Sequence, residues 1–380
     1  MISAPGKVLL LGGYAVLDGY PALSVAVTDA KGMGACASCT KSPGHRLVSK
    51  EFGIDAALDP KSPLSALRGA EKTHRVALSA YATVLSYFRH IGHTPEPLEA
   101  VLGNSPVFGG KDEKSGLGSS AAATVALTAA LLDGNGFDID KHREQIHKLA
   151  QISHALATEK TGSGFDVATS TFGTIEYVRF DKNLLNMNSG MGEDEFSGAV
   201  GELLKTDWPR LIVKKAGTGK FGMLAFNIKG GKTSTISSVK AVRKLTEHAP
   251  ELYANMISGQ VAGERKVFAG ISKGESSLVR EGMHEARRFQ RLLSGWVGRI
   301  GMMNFDPIEP PALTSLIDRA EQLPGIVAGR CPGSGGYDSV VFVTEGGPAQ
   351  AVEIAKIGKS LALNLEHLEL EPSSEGVRKA

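Results

Sequence analysis

Residues 114–122 read Lys114-Ser115-Gly116-Leu117-Gly118-Ser119-Ser120-Ala121-Ala122, and an alanine-rich apolar run carries on to Leu132. Two glycines one residue apart let a backbone turn tightly and approach a ligand closely. A helix starting at Ser119 or Ser120 aims unpaired N–H groups, and the positive end of its dipole, at whatever precedes it. That arrangement suits a phosphate, and the small residues Ala121–Ala123 leave room for a bulky anion. Ser119 and Ser120 have three uses open to them: capping the helix, contacting phosphate, or ligating a phosphate-bound Mg²⁺. The plain alternative is a serine-capped helix after a loop.

Two familiar phosphate motifs fit poorly. A Walker A loop needs G-x-x-x-x-G-K-S/T, and Gly231-Lys232-Thr233 supplies its end, but Phe226 stands where the first glycine belongs. Gly219-Lys220 has Lys214 in that place and Phe221 after the lysine. Gly116-x-Gly118-x-x-Ala121 matches a relaxed dinucleotide fingerprint, which must follow a buried strand. The preceding Lys111-Asp112-Glu113-Lys114 is charged throughout, which speaks against hydride transfer.

Composition points to a globular enzyme. The chain has 380 residues, 42% hydrophobic and 22% charged, so two domains are expected and wholesale disorder is excluded. Lys and Arg number 42 against 40 Asp and Glu, a net +2 that offers no field for nucleic acid or an anionic membrane. Three cysteines cannot make a disulfide framework, which fits a reducing, cytoplasmic setting. Cys36 and Cys39 form a lone C-x-x-C with nothing to complete a zinc site, and read as small strand residues. Lys7 followed by the apolar Val8–Leu17 resembles a signal peptide, but Gly12, Gly13 and Tyr14 interrupt it, so a first strand and turn are expected. Ala121–Leu132 is too short to span a bilayer. The histidines, His142, His147 and His154 among them, lack metal-ligand spacing and read as surface or packing residues.

Strands are expected at Val8–Leu11 and Ala22–Val27 around the turn Asp18-Gly19-Tyr20-Pro21. Helices are expected over residues 65–91, 119–132 and 140–160, and a strand over 173–180. Residues 183–202 hold few large apolar side chains and mark the best domain boundary. Beyond it come strands at 210–213 and 222–228, a helix at 235–248, a long helical region over 251–301, a helix at 311–322, strands at 326–328 and 339–343, and a helix at 349–363.

Three separated segments resemble the GHMP small-molecule kinases. Ser3-Ala4-Pro5-Gly6-Lys7 through Asp18-Gly19 resembles their N-terminal motif, Gly116–Ala122 their ATP loop, and Cys331-Pro332-Gly333-Ser334-Gly335-Gly336-Tyr337-Asp338 their C-terminal glycine motif. Within that superfamily, His147–His154, Gly162-Ser163-Gly164-Phe165-Asp166-Val167-Ala168 and Gly173–Phe180 are similar to phosphomevalonate kinases of the eukaryotic type. Gly230–Val239 resembles a segment near the acceptor phosphate, departing at Lys232 and Thr233, and the stretch from Asn104 to Lys114 is shorter than in fungal members.

The resemblance implies an α+β protein of two domains, an N-terminal ribosomal-S5-like ATP-binding domain over 1–185 and a C-terminal ferredoxin-like domain over 186–380. ATP and acceptor would meet in the cleft between them, with Gly116–Gly118 and Gly333–Gly336 close in space. It implies transfer from ATP, with Mg²⁺, to 5-phosphomevalonate, a step of isoprenoid synthesis. Asp166, Lys7 and Lys114 would be catalytic; Lys114, Gly116, Leu117, Gly118, Ser119, Ser120 and Ala121 would bind ATP, with Ser120 linked to Mg²⁺. Lys7, Tyr14, Ser163, Gly164, Asp166, Ser234, Gly335 and Gly336 would hold the acceptor. Read from its own neighbours alone, Asp166 would cap the helix that follows it. The alternatives are a kinase acting on mevalonate or another small alcohol, and a silent ligand sensor on the same fold. A small-molecule substrate is the expected partner, with no nucleic acid and no membrane; monomer and homodimer stay open.

Overall fold

The computed structural model describes residues 1–108, 116–230, 235–299, 307–346 and 348–380. Lys114 and Ser234 therefore lie outside the described residues, as do Lys232 and Thr233. The chain divides into two compact units, one of residues 1–7, 24–216 and 373–380, the other of residues 8–23 and 217–372. The passage between units falls inside strands β2 (Gly6–Leu11), β3 (Ala22–Thr28) and β14 (Glu371–Ser373), and after Ala216.

In the first unit a six-stranded mixed sheet has the order β15-β1-β4-β7-β5-β6. Its strands are β1 (Ile2–Ala4), β4 (Ala35–Lys41), β5 (His45–Ser49), β6 (Ile54–Leu58), β7 (Leu98–Asn104) and β15 (Arg378–Lys379). Chain ends meet here, since Ile2 pairs with Lys379 on one side and Ala37 on the other. Cys36 and Cys39 lie on β4 as free thiols, as the strand reading expects. Helices α1 (Lys72–His90), α2 (Ser119–Gly134), α3 (Arg143–Thr158), α4 (Phe165–Phe172) and α5 (Glu193–Lys205) cover this unit, and β8 (Ile175–Val178) pairs antiparallel with β9 (Ile212–Lys215). Every residue of α2 from Ala121 to Leu132 is buried, the mark of a core helix rather than a surface one. It is wrapped by α1, α3, α4, β4 and β7.

The polar stretch 183–202, where the sequence placed a boundary at 185/186, holds α5 instead. Phe196 and Val200 on α5 are fully buried in the first unit's core, so the change of unit comes only at Ala216. Spacing on one helical face outweighed the scarcity of apolar residues. The helix expected over 65–91 likewise begins only at Lys72, after a 3₁₀ turn over Pro63–Leu67 and Gly69 at φ +74°.

The second unit contains an antiparallel sheet in the order β11-β12-β10-β13, from β10 (Gly222–Ile228), β11 (Ile326–Arg330), β12 (Ser339–Thr344) and β13 (Leu365–Leu368). Numbered along the chain that order is 2-3-1-4, and α10 (Ala351–Ser360) connects the last two strands, the split βαβ pattern of a ferredoxin-like fold. Between β10 and β11 come α6 (Thr235–His248), α7 (Pro250–Lys273), α8 (Ser276–Arg299) and α9 (Pro311–Ala320). α7 and α8 lie in the long helical region expected over 251–301; Gly274, at φ +70°, ends α7 and the two pack on each other. No described helix is long and apolar enough to cross a membrane.

Candidate functional site

Lys7 is the hub of the first unit's motif residues. Its N–H donates to Leu117 O at 2.7 Å and its Nζ to Gly116 O, also at 2.7 Å. Its stem runs beside Gly118, where an added Cβ would lie 3.0 Å from Lys7 Cε. Gly118 sits at φ +73° as the residue before α2, and no side chain caps that helix. Ser119 and Ser120 therefore belong to the first turn, and the serine-cap alternative fails because glycine already occupies the cap. Ser120 is exposed, its Oγ 3.4 Å from His154 Nε2. Ala121 and Ala122 are fully buried behind it.

The same ammonium lies 5.8 Å from the centre of the Phe165 ring, next in sequence to Asp166. Asp166 is half-buried in the first turn of α4, and its Oδ1 accepts the Val167 N–H at 3.0 Å. A carboxylate there is favoured by the helix dipole. It does not cap α4, since Gly164 holds that position at φ +80°. A Cβ on Gly164 would meet Tyr177 Oη and Phe180 Cε1 at 2.8 Å and Gln151 Nε2 at 3.0 Å.

Three residues missed in the sequence hold this turn. Tyr177 Oη donates to Ser163 O at 2.8 Å, and burial, then the Asp166 carboxylate, push its phenol up, so it remains a donor. Gln151 Nε2 donates to Gly164 O at 2.7 Å and to His147 Nε2 at 3.0 Å. His147 is thereby an acceptor; burial, then Lys148, lowers its pKa to about 3 and keeps the ring neutral. Only the segment around them was visible in sequence, because each acts through a backbone oxygen rather than through a motif position.

The second unit holds the other motif residues. Tyr14 is buried, with its Oη donating to Ser334 O at 2.9 Å. Gly333 N–H donates to Leu9 O at 3.4 Å, Gly335 N–H to Pro332 O at 3.1 Å and Gly336 N–H to Ile308 O at 2.9 Å. The N-terminal and C-terminal glycine motifs are thus joined backbone to backbone.

Among the described residues no three acidic, histidine or cysteine side chains gather as a metal cage. Mg²⁺ carried on nucleotide phosphates takes only one or two protein ligands, which the exposed Ser120 hydroxyl fits. A groove of about 940 Å³ elsewhere on the first unit, lined by His147, Trp208 and Lys215 among others, includes none of the site residues expected from the sequence.

Residues 80–174 match the model of the GHMP kinases N terminal domain. The phosphomevalonate kinase of Saccharolobus solfataricus is 30% identical over 295 residues, 73% of this chain and 82% of that one. The phosphomevalonate kinase of Gibberella zeae is 27% identical over 433 residues, covering 99% of this chain and 96% of its own. In fold, the chain is similar to Streptococcus pneumoniae phosphomevalonate kinase in complex with phosphomevalonate and AMPPNP, with a TM-score of 0.72 at 18% identity over 98% and 99% of the two chains. The two-unit α+β architecture is that of the GHMP kinases, and the chain belongs to that superfamily, within its phosphomevalonate kinases.

Proposed function

We propose that this protein transfers the terminal phosphoryl group of ATP to 5-phosphomevalonate, giving 5-diphosphomevalonate and ADP. The observation that carries the reading is Lys7, whose one side chain touches Gly116 of the glycine loop and reaches the ring beside Asp166. The uncapped start of α2 suits the ATP phosphates, with Gly116, Leu117, Gly118, Ser119, Ser120 and Ala121 assigned to them. Mg²⁺, held through Ser120, would supply charge neutralisation between phosphates.

Phosphoryl transfer asks for positioning and charge stabilisation more than covalent help. A phosphomonoester loses its second proton at about pH 6, so this acceptor is already an oxyanion at neutral pH and needs no strong base. Asp166 then aligns the acceptor and takes any residual proton. Lys7 offsets the repulsion between two phosphate groups, and Lys114, outside the described residues, would add a second charge. Ser163, Gly164, Tyr14, Ser234, Gly335 and Gly336 are assigned to the acceptor. Tyr14 serves through the turn it fixes, since its hydroxyl is already bonded to Ser334. Three free thiols support a reducing, cytoplasmic setting.

A coupled ADP-release assay with phosphomevalonate, mevalonate and homoserine tests the assignment. Phosphomevalonate should be the substrate turned over. Robust turnover of mevalonate with phosphomevalonate inert would leave only the kinase class standing.

A further inference from the structure

One carboxylate inside the second unit ties both glycine motifs together. Glu264, on α7, is 2% exposed, and its Oε1 accepts from Gly12 N–H at 2.9 Å, Gln260 Nε2 at 3.1 Å and Arg330 Nη1 at 3.2 Å. Gln260, one helical turn before it, also donates to Gly12 O at 3.1 Å. Its amide orientation is settled, because both neighbours of Nε2 are acceptors. Both main-chain polar groups of Gly12 are therefore held by α7, two residues before Tyr14. Arg330, 1% exposed, immediately precedes the Cys331–Asp338 turn. Beyond it that turn is bonded back through Tyr14 to Ser334 and through Gly333 to Leu9.

Such a cluster is poorly explained by stability. A buried ion pair often does no better than apolar residues of the same volume. Three more polar atoms of the cluster, Gln260 Oε1, Glu264 Oε2 and Arg330 Nε, are buried with no hydrogen-bond partner among the described residues. Partly satisfied networks of this kind are costly. What the cluster does accomplish is to fix the relative register of two turns 252 and 66 residues from Glu264 and its neighbours along the chain.

We propose that Glu264, with Gln260 and Arg330, is a positioning residue for the acceptor: it sets the Gly12–Tyr14 turn against the Cys331–Gly336 turn. This rests on reading Tyr14, Gly335 and Gly336 as the acceptor's side of the site. Glu264 is buried and bonded to the two turns rather than open to a ligand, so its removal should change how the acceptor binds and leave ATP binding alone.

The full-length protein tests this with Glu264→Met/Arg330→Met, which removes both charges together and avoids stranding one of them. Glu264→Gln, which keeps an oxygen for Gly12 N–H, is the conservative comparison, and Lys266→Ala, an exposed ion-paired position on the same helix, is the control. Steady-state KM for acceptor and for ATP is read beside the melting temperature. The double variant should raise acceptor KM by about tenfold or more, with ATP KM within about twofold of wild type, and Glu264→Gln should recover part of the loss. An unchanged acceptor KM in the folded double variant overturns the proposal. So does a parallel rise in both KM values that follows the melting temperature. If wild type turns over mevalonate or homoserine instead of phosphomevalonate, the substrate assignment falls, while the same comparison, made with that acceptor, still decides the role of Glu264.

Discussion

At the scale of single residues, Ser120 separates a chemical role from a structural one. It lies exposed in the first turn of α2, and the cap position before that helix is already taken by Gly118. Ser120→Ala should therefore change stability by less than about 0.5 kcal/mol, as surface substitutions do. If its hydroxyl holds Mg²⁺, turnover should fall by about tenfold or more, with partial recovery at raised Mg²⁺. Denaturant melts and a Mg²⁺ titration of the rate give both numbers, and matched losses of stability and rate would return Ser120 to a structural role. Asp166 and Lys7 differ in kind. Asp166→Asn should slow turnover, and raising pH through the acceptor's own ionisation, about pH 6, should restore part of it. Lys7→Ala should be at least as damaging at every pH, since it removes charge compensation rather than alignment. A pH–rate profile of wild type and both variants decides this. Lys7 and Asp166 could be proposed from the sequence because each sits inside a motif. Glu264 could not, because it meets Gly12 across 252 positions and nothing near it in sequence marks it.

At the scale of elements, the starts of α2 and α4 share one design, a left-handed glycine at the cap with the side chain proposed for the chemistry in the first turn. Gly118→Ala should cost about 1–2 kcal/mol for the left-handed backbone conformation alone. Its methyl would also press on the Lys7 stem and disturb the bond to Gly116, so kcat/KM should fall by about tenfold or more, beyond what the stability loss explains. The link from α3 to α4 through His147 and Gln151 makes a separate statement about pH. Folded His147 takes a proton only near pH 3, whereas the ordinary histidine value is 6.5. The unfolded chain therefore binds the extra proton first as pH falls, and stability drops through the window from about 6.5 to 3. Between about pH 7 and pH 5 this one ring should account for about 2 kcal/mol of lost stability. Urea midpoints should show a flatter pH dependence in His147→Leu than in wild type, and equal slopes would mean that the ring is not buried neutral. The helical nature of these segments was readable from their apolar spacing. Their bounds were underread where the punctuation was a single glycine, as at Gly69, because an isolated glycine inside a periodic run is compatible with a helix that simply continues.

At the scale of the whole molecule, neither unit is a continuous stretch of chain. A cut at 185/186, the division suggested by local composition, would strip α5 from the core that buries Phe196 and Val200. A cut at 216/217 respects the second boundary and still separates residues 8–23 from their own unit. Those sixteen or so residues carry much of that unit's cohesion. Tyr14 and Ala15 are packed in one cluster with Val242, Leu245, Ile257 and Leu293, and Gly12 supplies the N–H that Glu264 accepts. Losing a single large buried aromatic costs about 3–5 kcal/mol, a sizeable part of the roughly 5–15 kcal/mol that holds a domain folded. Residues 217–372 expressed alone should therefore lack a cooperative thermal transition. The same fragment with residues 8–23 attached through a flexible glycine–serine linker should regain one, because the attachment restores both the apolar cluster and the buried polar bonds. Circular dichroism melts of the two fragments, side by side, measure the difference. A sharp transition in 217–372 alone, at the midpoint of the linked form, would show that the N-terminal segment merely decorates the unit and that the local composition reading had the better account of what folds.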